Sequence, residues 1–360
     1  MTLILNNEEI EKVLTMDTCL QVLEDMYREL GTDRAINIPR SDLIVPSDHP
    51  DRVHAFKTMS GGVPKIGVTA LRLNSDIVNW PERQGTRRRE KVPAAPGGKW
   101  LGLILLFSNQ NGELLSIFPD GIVQRMRVGA TNGLGAKYLA RKDAATVGLL
   151  GSGWQAGTQL MAFCGVRQIR LIKVFSPNPD HRQAFAREMN ETLGVPVRPV
   201  DSAEEAVKDV DILAAATNAI RPVIRPEWLA PGIHVSAIKR QEVDETIFQG
   251  CHPIFFHTTE YLGEANYALK EVEPRIPEIH GGWWQEPEKI MARWEIHDLK
   301  ELVTGRLLGR TDDGQTTCFL NNIGMGVQFA AVGARVYQLA REKGLGREID
   351  TDWFLQTVHP

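Results

Sequence analysis

The chain has 360 residues, 42% of them hydrophobic and 24% charged, with a formal net charge of −4. That length accommodates two domains with a core each, and the composition is that of a folded globular protein. The acidic balance argues against nucleic-acid or membrane-surface partners, which favour a basic excess, and no apolar run approaches the length that spans a bilayer.

Residues 1–11 are polar and acidic and lack the apolar segment of a secretory signal. Residues 7–31 carry helical periodicity through Ile10, Val13, Leu14, Leu20, Val22, Leu23, Met26 and Leu30, with Gly31 as the stop. Residues 53–56 and 67–73 predict strands, and residues 101–107 and 114–118 predict a hairpin about the turn at Asn109 to Gly112. Between these strands lies a polar excursion, residues 79–99, rich in Pro, Gly and Arg. Loops of that length are disordered or functional, and the expectation here is a lid over a site. Its run Arg87-Arg88-Arg89, followed by Glu90 and Lys91, predicts a solvated face.

From Asp143 the pattern changes to alternating strands and helices. Strand 146–150 is followed by a helix, strand 169–175, a helix over 180–193 and strand 197–200. A short helix comes next, opened by the capping box Ser202-x-x-Glu205, and then strands 211–215, 233–237 and 253–256. Asp180 is placed to cap its helix. This alternation specifies an α/β fold with a doubly wound parallel sheet. Residues 323–343 predict one long amphipathic helix that returns to the first, smaller α/β domain and makes that domain discontinuous. Cys19, Cys164, Cys251 and Cys318 are far apart and match neither a C-x-x-C nor a metal-ligand spacing, which predicts unpaired thiols in a reducing, cytoplasmic setting. His234 and His252 flank strand ends and are expected to be structural. His280-Gly281-Gly282-Trp283-Trp284 matches no metal motif, so its aromatics are expected to serve packing or an interface.

The most specific stretch is Val147-Gly148-Leu149-Leu150-Gly151-Ser152-Gly153-Trp154-Gln155-Ala156. A buried strand runs into a glycine turn that opens a helix. Gly151 permits the turn, Gly153 lets the backbone approach a pyrophosphate, and Ala156 allows close helix-to-strand packing. A second strand at the right distance turns this weak motif into a Rossmann dinucleotide site.

Four separated segments together resemble the ornithine cyclodeaminase/mu-crystallin family over nearly the whole chain. They are Ile38-Pro39-Arg40; Arg127-Val128-Gly129-Ala130-Thr131, leading to Leu139-Ala140-Arg141; the glycine motif with Trp154-Gln155; and Asn322-Ile323-Gly324 before the last helix. The resemblance implies a Rossmann domain (residues 129–321) plus a smaller discontinuous α/β substrate and dimerisation domain (residues 1–128 and 322–360), paired into a homodimer. It also implies that Thr217 and Asn218 touch a nicotinamide dinucleotide and that Asn322 and Ile323 border the nicotinamide.

The second Rossmann strand usually ends in a carboxylate that binds the ribose 2′-OH. Here Ser176 occupies that place, and Ser176, Asn178 and Arg182 suit a 2′-phosphate, so NADP is favoured over NAD. On the substrate side Arg40 and Arg127 match the family's carboxylate-binding arginines. The family's strand lysine is missing: Thr69 stands near its place, Lys57 lies upstream, and Arg72 is the substitute candidate. The glycine pair and aspartate that cyclodeaminases carry after strand 233–237 are also missing, the chain reading Ile238-Lys239-Arg240-Gln241-Glu242-Val243-Asp244. Asp244 is a poor stand-in, and Lys239 is a candidate for a second substrate carboxylate or a proton. These features imply an NAD(P)-dependent oxidoreductase that reduces an α-imino acid or oxidises the amino acid. The alternatives are a cyclodeaminase with internally recycled NAD and a non-catalytic NADPH-dependent binding protein.

Overall fold

The alternating half of the chain produces an eight-stranded sheet in which every neighbouring pair is parallel. Its spatial order is Val197–Pro199, Leu171–Phe175, Thr146–Leu150, Ile212–Ala215, His234–Ala237, Thr317–Leu320, Ile254–Phe256 and Ile296–Asp298. The computed structural model describes residues 1–83, 86–261, 265–276 and 287–358, so the aromatic segment 280–284 lies outside the described residues. The four central strands are buried almost throughout, as expected for a parallel sheet covered on both faces. The order reverses between Thr146–Leu150 and Ile212–Ala215, and at such a switch point the carboxyl ends of the strands open a ligand crevice. Ile296–Asp298 and Thr317–Leu320 are additions to the sequence reading, three and four residues long. Runs that short carry too little periodicity to register.

The second sheet is ten-stranded and mainly antiparallel. Its path runs Ala265–Ala268, Ser41–Pro46, Val53–Val63, Val68–Asn79, Leu101–Ser108, Leu114–Pro119, Thr2–Ile4, Arg347–Ile349. The two long strands alternate buried and partly exposed residues. Their inner face packs on helix Gly326–Glu342, which Met16–Gly31 packs against in turn, while the outer face carries Phe56, Leu71, Leu73, Leu103, Leu105 and Phe107 in partly exposed positions. The inner face also holds a buried polar row, Asp42, Lys57, Arg72, Asn74 and Asp76, each at most 5% exposed.

Several expectations are corrected. Residues 7–31 form two helices, Asn7–Glu11 and Met16–Gly31, because Thr15 accepts from Thr18 N and starts a new one. The helix Pro179–Leu193 is capped by Asn178, which accepts from His181 N at 3.1 Å, leaving Asp180 in the first turn. Ser202 caps as expected, but Glu205 reaches the Asp201 N–H instead of closing the box. The last helix begins at Gly326, where its backbone meets the sheet. A Cβ on Gly326 would lie 2.2 Å from the Ser60 carbonyl carbon, and one on Gly61 2.3 Å from Val327 N. Asn37 Oδ1 accepts from Val327 N at 3.0 Å and caps that helix from the sheet.

The division drawn at residue 128 falls inside a single helix, Gly121–Leu139. Ala265–Ala268, sent out from the Rossmann segment, pairs in parallel with Ser41–Pro46 in the other sheet, where Val272 and Ile276 join a small core with Ile44, Val53, Ala55 and Val78. Among the described residues no helix is long and apolar enough to cross a membrane, and all four cysteines are free.

Candidate active site

The glycine turn after Thr146–Leu150 has the geometry its sequence demands. Gly151 sits at φ +112°, and a Cβ there would lie 2.2 Å from the Ala216 carbonyl oxygen across the switch point. Gly153, at φ −86°, heads the helix Trp154–Val166 with no side-chain cap, and a Cβ on it would meet nothing within 4 Å. An uncapped helix N-terminus behind open space is a ready anion cradle, so these residues fit a dinucleotide pyrophosphate. Trp154 is 53% exposed beside the cradle, with the Arg125 guanidinium 5.6 Å above its ring. Gln155 faces inward, its Oε1 buried without a hydrogen-bond partner.

At the end of the second strand Ser176 is buried, and its hydroxyl lies 2.8 Å from that of Ser152. No carboxylate takes the position beside them. Asn178 is committed to capping. Arg182 donates through Nη1 to the Ser176 carbonyl at 3.0 Å and through Nη2 to the exposed Asp201 at 2.6 Å, over the Phe175 ring.

The loops after Ile212–Ala215 and His234–Ala237 are joined by a residue the sequence reading passed over. Glu242 is fully buried. Its Oε1 accepts from Thr217 N (2.5 Å) and Thr217 Oγ1 (2.8 Å), and its Oε2 from Ile238 N (2.9 Å) and Lys239 N (3.2 Å). Burial pushes its carboxyl up from the ordinary value, opposed by the nearby Lys239 ammonium and these donors. The Lys239 charge lies near enough to act on Glu242, while Asn218 is exposed. The only sequence signal for this clasp is an acidic residue in a short loop after a buried strand.

The substrate-side arginines come together. Arg127, in the middle of Gly121–Leu139, is 3% exposed and donates to Gln328 Oε1 (3.0 Å) and Gln124 Oε1 (2.8 Å); its Nε is buried without a partner. Both acceptors are neutral amides. Burial first, and then neighbouring Arg72, lowers its pKa to about 9. Arg127 and Arg72 lie 5.1 and 5.5 Å from the Phe329 ring centroid. Arg72 is paired with Asp120 through two hydrogen bonds of 2.8 and 2.6 Å. Arg40 is held by Asp42 at 2.7 and 2.5 Å. Thr69 faces the outer side, where its hydroxyl donates to Asn109, so Arg72 is the inward cation of that strand nearest the missing lysine's place. Lys57 is inward as well.

Asn322-Ile323-Gly324 enters the same region. A Cβ on Gly324 would lie 2.7 Å from Met59 Cε and 3.4 Å from Arg127 Nη2. Ile323 is buried, and the Asn322 amide exchanges two hydrogen bonds with the Thr258 backbone, so its side chain positions a neighbouring loop. Behind Arg127, Gln328 donates to Tyr27 and Thr131. His257, at the carboxyl end of Ile254–Phe256, packs edge-on to Tyr27; it lies near Asn321 and Ile323, but neither ring nitrogen reaches hydrogen-bond geometry. His234 meets Thr317 inside the sheet at 2.9 Å, the structural place expected of it.

The excursion 79–99 is not a plain loop. Glu90–Val92 pairs antiparallel with Ile77–Asn79, and Arg88 forms a β-bridge to Ala219, two residues beyond Thr217. Only Arg87 of the basic run is exposed; Arg88 and Arg89 are half-buried, which corrects the expectation of a solvated face.

Known proteins are similar to this chain in sequence and fold. A Delta(1)-pyrroline-2-carboxylate reductase of Bacillus cereus is 28% identical over 256 residues, which is 69% of this chain and 74% of that protein. The solved structure of the Thermococcus litoralis Delta(1)-pyrroline-2-carboxylate reductase in complex with NADH and L-proline superposes with a TM-score of 0.79 at 27% identity, covering 97% of this chain and all of the other. An archaeal alanine dehydrogenase dimer with bound NAD has a TM-score of 0.75 at 24% identity over 97% and 99% of the two chains. The model of the ornithine cyclodeaminase/mu-crystallin family matches residues 1–344, and the chain belongs to that family.

Proposed function

We propose that this protein is an NAD(P)-dependent oxidoreductase that reduces the C=N bond of an α-imino acid or, in reverse, oxidises the α-amino acid. One observation carries the reading: Arg127 is a buried cation next to Val128, whose carbonyl accepts from Asn321 just past the carboxyl end of Thr317–Leu320, and its hydrogen-bond acceptors are neutral. A substrate α-carboxylate supplies the missing anion, in the bidentate geometry a guanidinium favours. Arg72 adds a second positive charge across Phe329, with Asp120 fixing its orientation. When bound, the nicotinamide supplies or accepts the hydride. The chain's residues fix the substrate α-carbon in place and exclude water, and positioning and charge supply most of the acceleration. Arg40, tied to Asp42, borders the same pocket as a further carboxylate partner.

Glu242 disfavours the cyclodeaminase alternative. It is the one carboxylate in the loop after His234–Ala237 at residues 238–242, and all its donors come from the two loops it ties. Deamination with return of the hydride needs a carboxylate free to move protons. The non-catalytic binding reading is disfavoured by the presence of both Arg40 and Arg127.

Ser176 in the ribose position supports NADP, with NAD as the alternative. A 2′-phosphate there would compete with exposed Asp201 for Arg182. The apolar outer face of the ten-stranded sheet supports a homodimer, and the unpaired buried cysteines support a cytoplasmic setting. The test is absorbance at the reduced-nicotinamide band, with NADPH or NADH, 2-oxo acids plus ammonium or methylamine, and cyclic ketimines. Stoichiometric oxidation that falls at least about 1,000-fold in Arg127→Met is expected, a loss on the scale of removing a buried charged contact. A flat trace with ammonia release from ornithine would establish the cyclodeaminase instead.

A further inference from the structure

The far end of the ten-stranded sheet carries a cleft that the proposed chemistry does not use. Its volume is about 420 Å³, a size that suits a small molecule. Three separate segments wall it: the turn His49–Arg52 before Val53–Val63, the start of the excursion 79–99, and the single helical turn Glu273–Arg275. Each contributes a guanidinium, from Arg52, Arg87 and Arg275. The backbone under these arginines is fixed. Arg52 N donates to His49 O at 3.1 Å, and the next residue, Val53, belongs to the small core that also holds Ile276, the residue after Arg275. Arg87 Nε donates to the Trp80 carbonyl at 3.3 Å, and Trp80 packs against the same core.

Among the described residues none of the three guanidiniums is in an ion pair. Asp51 is the one carboxylate lining the cleft, and it is exposed. Glu82, across a strand pair from Arg87, is exposed as well and forms no ion pair with it. In the same wall Asn79 Oδ1 and Trp80 Nε1 are buried with no hydrogen-bond partner. Protein groups alone therefore satisfy neither the charge nor the hydrogen bonds of this cleft. The place is separate from the substrate anchor. Val53 and Val78, cross-strand partners at this end, lie six residues from Met59 and Arg72, the pair that meets the Arg127 region, or about 20 Å along the strands.

We propose that the cleft binds a small phosphate-bearing anion with two or more negative charges. Guanidinium forks arriving from three directions suit the several oxygens of phosphate better than one planar carboxylate. The bound anion ties the start of the excursion to the sheet turn and to the segment returning from the Rossmann half. Arg88, next to Arg87, bridges to Ala219 in the loop of Thr217, so the anion grips the excursion beside its contact with the Rossmann segment. The proposal does not rest on the reductase reading.

Calorimetry with inorganic pyrophosphate tests it, on protein saturated with NADPH or NADH so that the glycine cradle is filled. One ion bound per chain is expected. Arg52→Gln and Arg275→Gln should each weaken binding at least about tenfold, the loss of one charge-assisted contact. Both should melt within a few degrees of the parent, because no ion pair is broken; if one fails to fold, the other decides. Arg187→Gln removes the same charge from an exposed helix position elsewhere and should leave binding unchanged. Absence of binding overturns the proposal. Binding that survives both cleft variants, or that falls equally in Arg187→Gln, means an adventitious ion only and overturns it too.

Discussion

Gly153→Ala separates binding from folding. The residue has φ −86° and ψ −177°, which any amino acid adopts, and its Cβ would point into open space. Two small effects on stability oppose each other. Alanine restricts the unfolded chain and stabilises by about 0.4–1 kcal/mol, while losing a favoured N-cap residue costs about 0.5–1 kcal/mol. The melting temperature should therefore move by no more than a few degrees. A methyl group at that point occupies the space a pyrophosphate needs over the N-terminus of Trp154–Val166. Losing one charge-assisted hydrogen bond of about 1.5–3 kcal/mol weakens affinity by roughly 10- to 100-fold. Quenching of half-exposed Trp154 by added NADPH or NADH, checked by calorimetry, measures it. Gly151→Ala is the control, since at φ +112° and 2.2 Å from a carbonyl oxygen it must lose stability. A Gly153→Ala protein that binds the dinucleotide as tightly as the parent would refute the cradle.

Glu242→Gln should loosen both loops that the carboxylate ties, raising the dinucleotide Kd about tenfold and lowering the melting temperature, because an amide cannot accept all four donors. Unchanged affinity by calorimetry would make the clasp irrelevant to the crevice. Acid sensitivity follows from His234 and His257, each buried and neutral with its pKa lowered to about 3 from 6.5. The unfolded chain protonates both below pH 6.5 and the folded one does not, so stability is present above that pH and is lost as pH falls towards 3. Between pH 4 and 5.5 the slope approaches about 2.7 kcal/mol per pH unit from this pair; urea unfolding across that range measures it, and a slope below one proton's worth would contradict the assignment. Leu105→Glu, on the outer sheet face, should convert a dimer into monomers by light scattering, and a dimer that survives it would place the interface elsewhere.

The parts of the molecule legible in the sequence are those where local chemistry and global placement agree. Gly151 announces a turn because its positive φ and its clearance tolerate little else, and the strand-helix alternation around it carries a long periodic signal. Arg127 is legible only through the family resemblance of Arg127-Val128-Gly129-Ala130-Thr131; its packing is tertiary, with Gly129 and Gly133 letting Gly121–Leu139 close on Trp154–Val166, where a Cβ would fall 2.4 Å from the Thr158 carbonyl oxygen and 2.8 Å from the Ala162 Cβ. What escaped is tertiary. Ala265–Ala268 becomes a strand only because Ser41–Pro46 offers it an edge. Glu242 is an ordinary loop acid until two distant strand ends converge on it. Lys57 and Asp76 sit in strands whose alternation marks them as inward, yet no pattern along the chain says that Lys91 pairs with Asp76 as well. The second strand's serine was visible, but the commitment of Asn178 to a cap and of Arg182 to Asp201 depends on side-chain directions that spacing does not encode.

The two closely packed helices have a mechanical consequence. On the proposed reading, one presents its N-terminus to the pyrophosphate and the other carries Arg127; glycines bring their backbones into contact, so the two anchors ride on one stiff block. Rotation of one sheet against the other therefore has little leverage over the distance between hydride carrier and α-carbon. Among the described residues, the strap over residues 79–99 meets the Rossmann segment through the backbone bridge from Arg88 to Ala219, in the loop after Ile212–Ala215, and the other sheet through Glu90–Val92. On the proposed reading, the packed helix pair keeps the spacing of the two anchors the same from one turnover to the next.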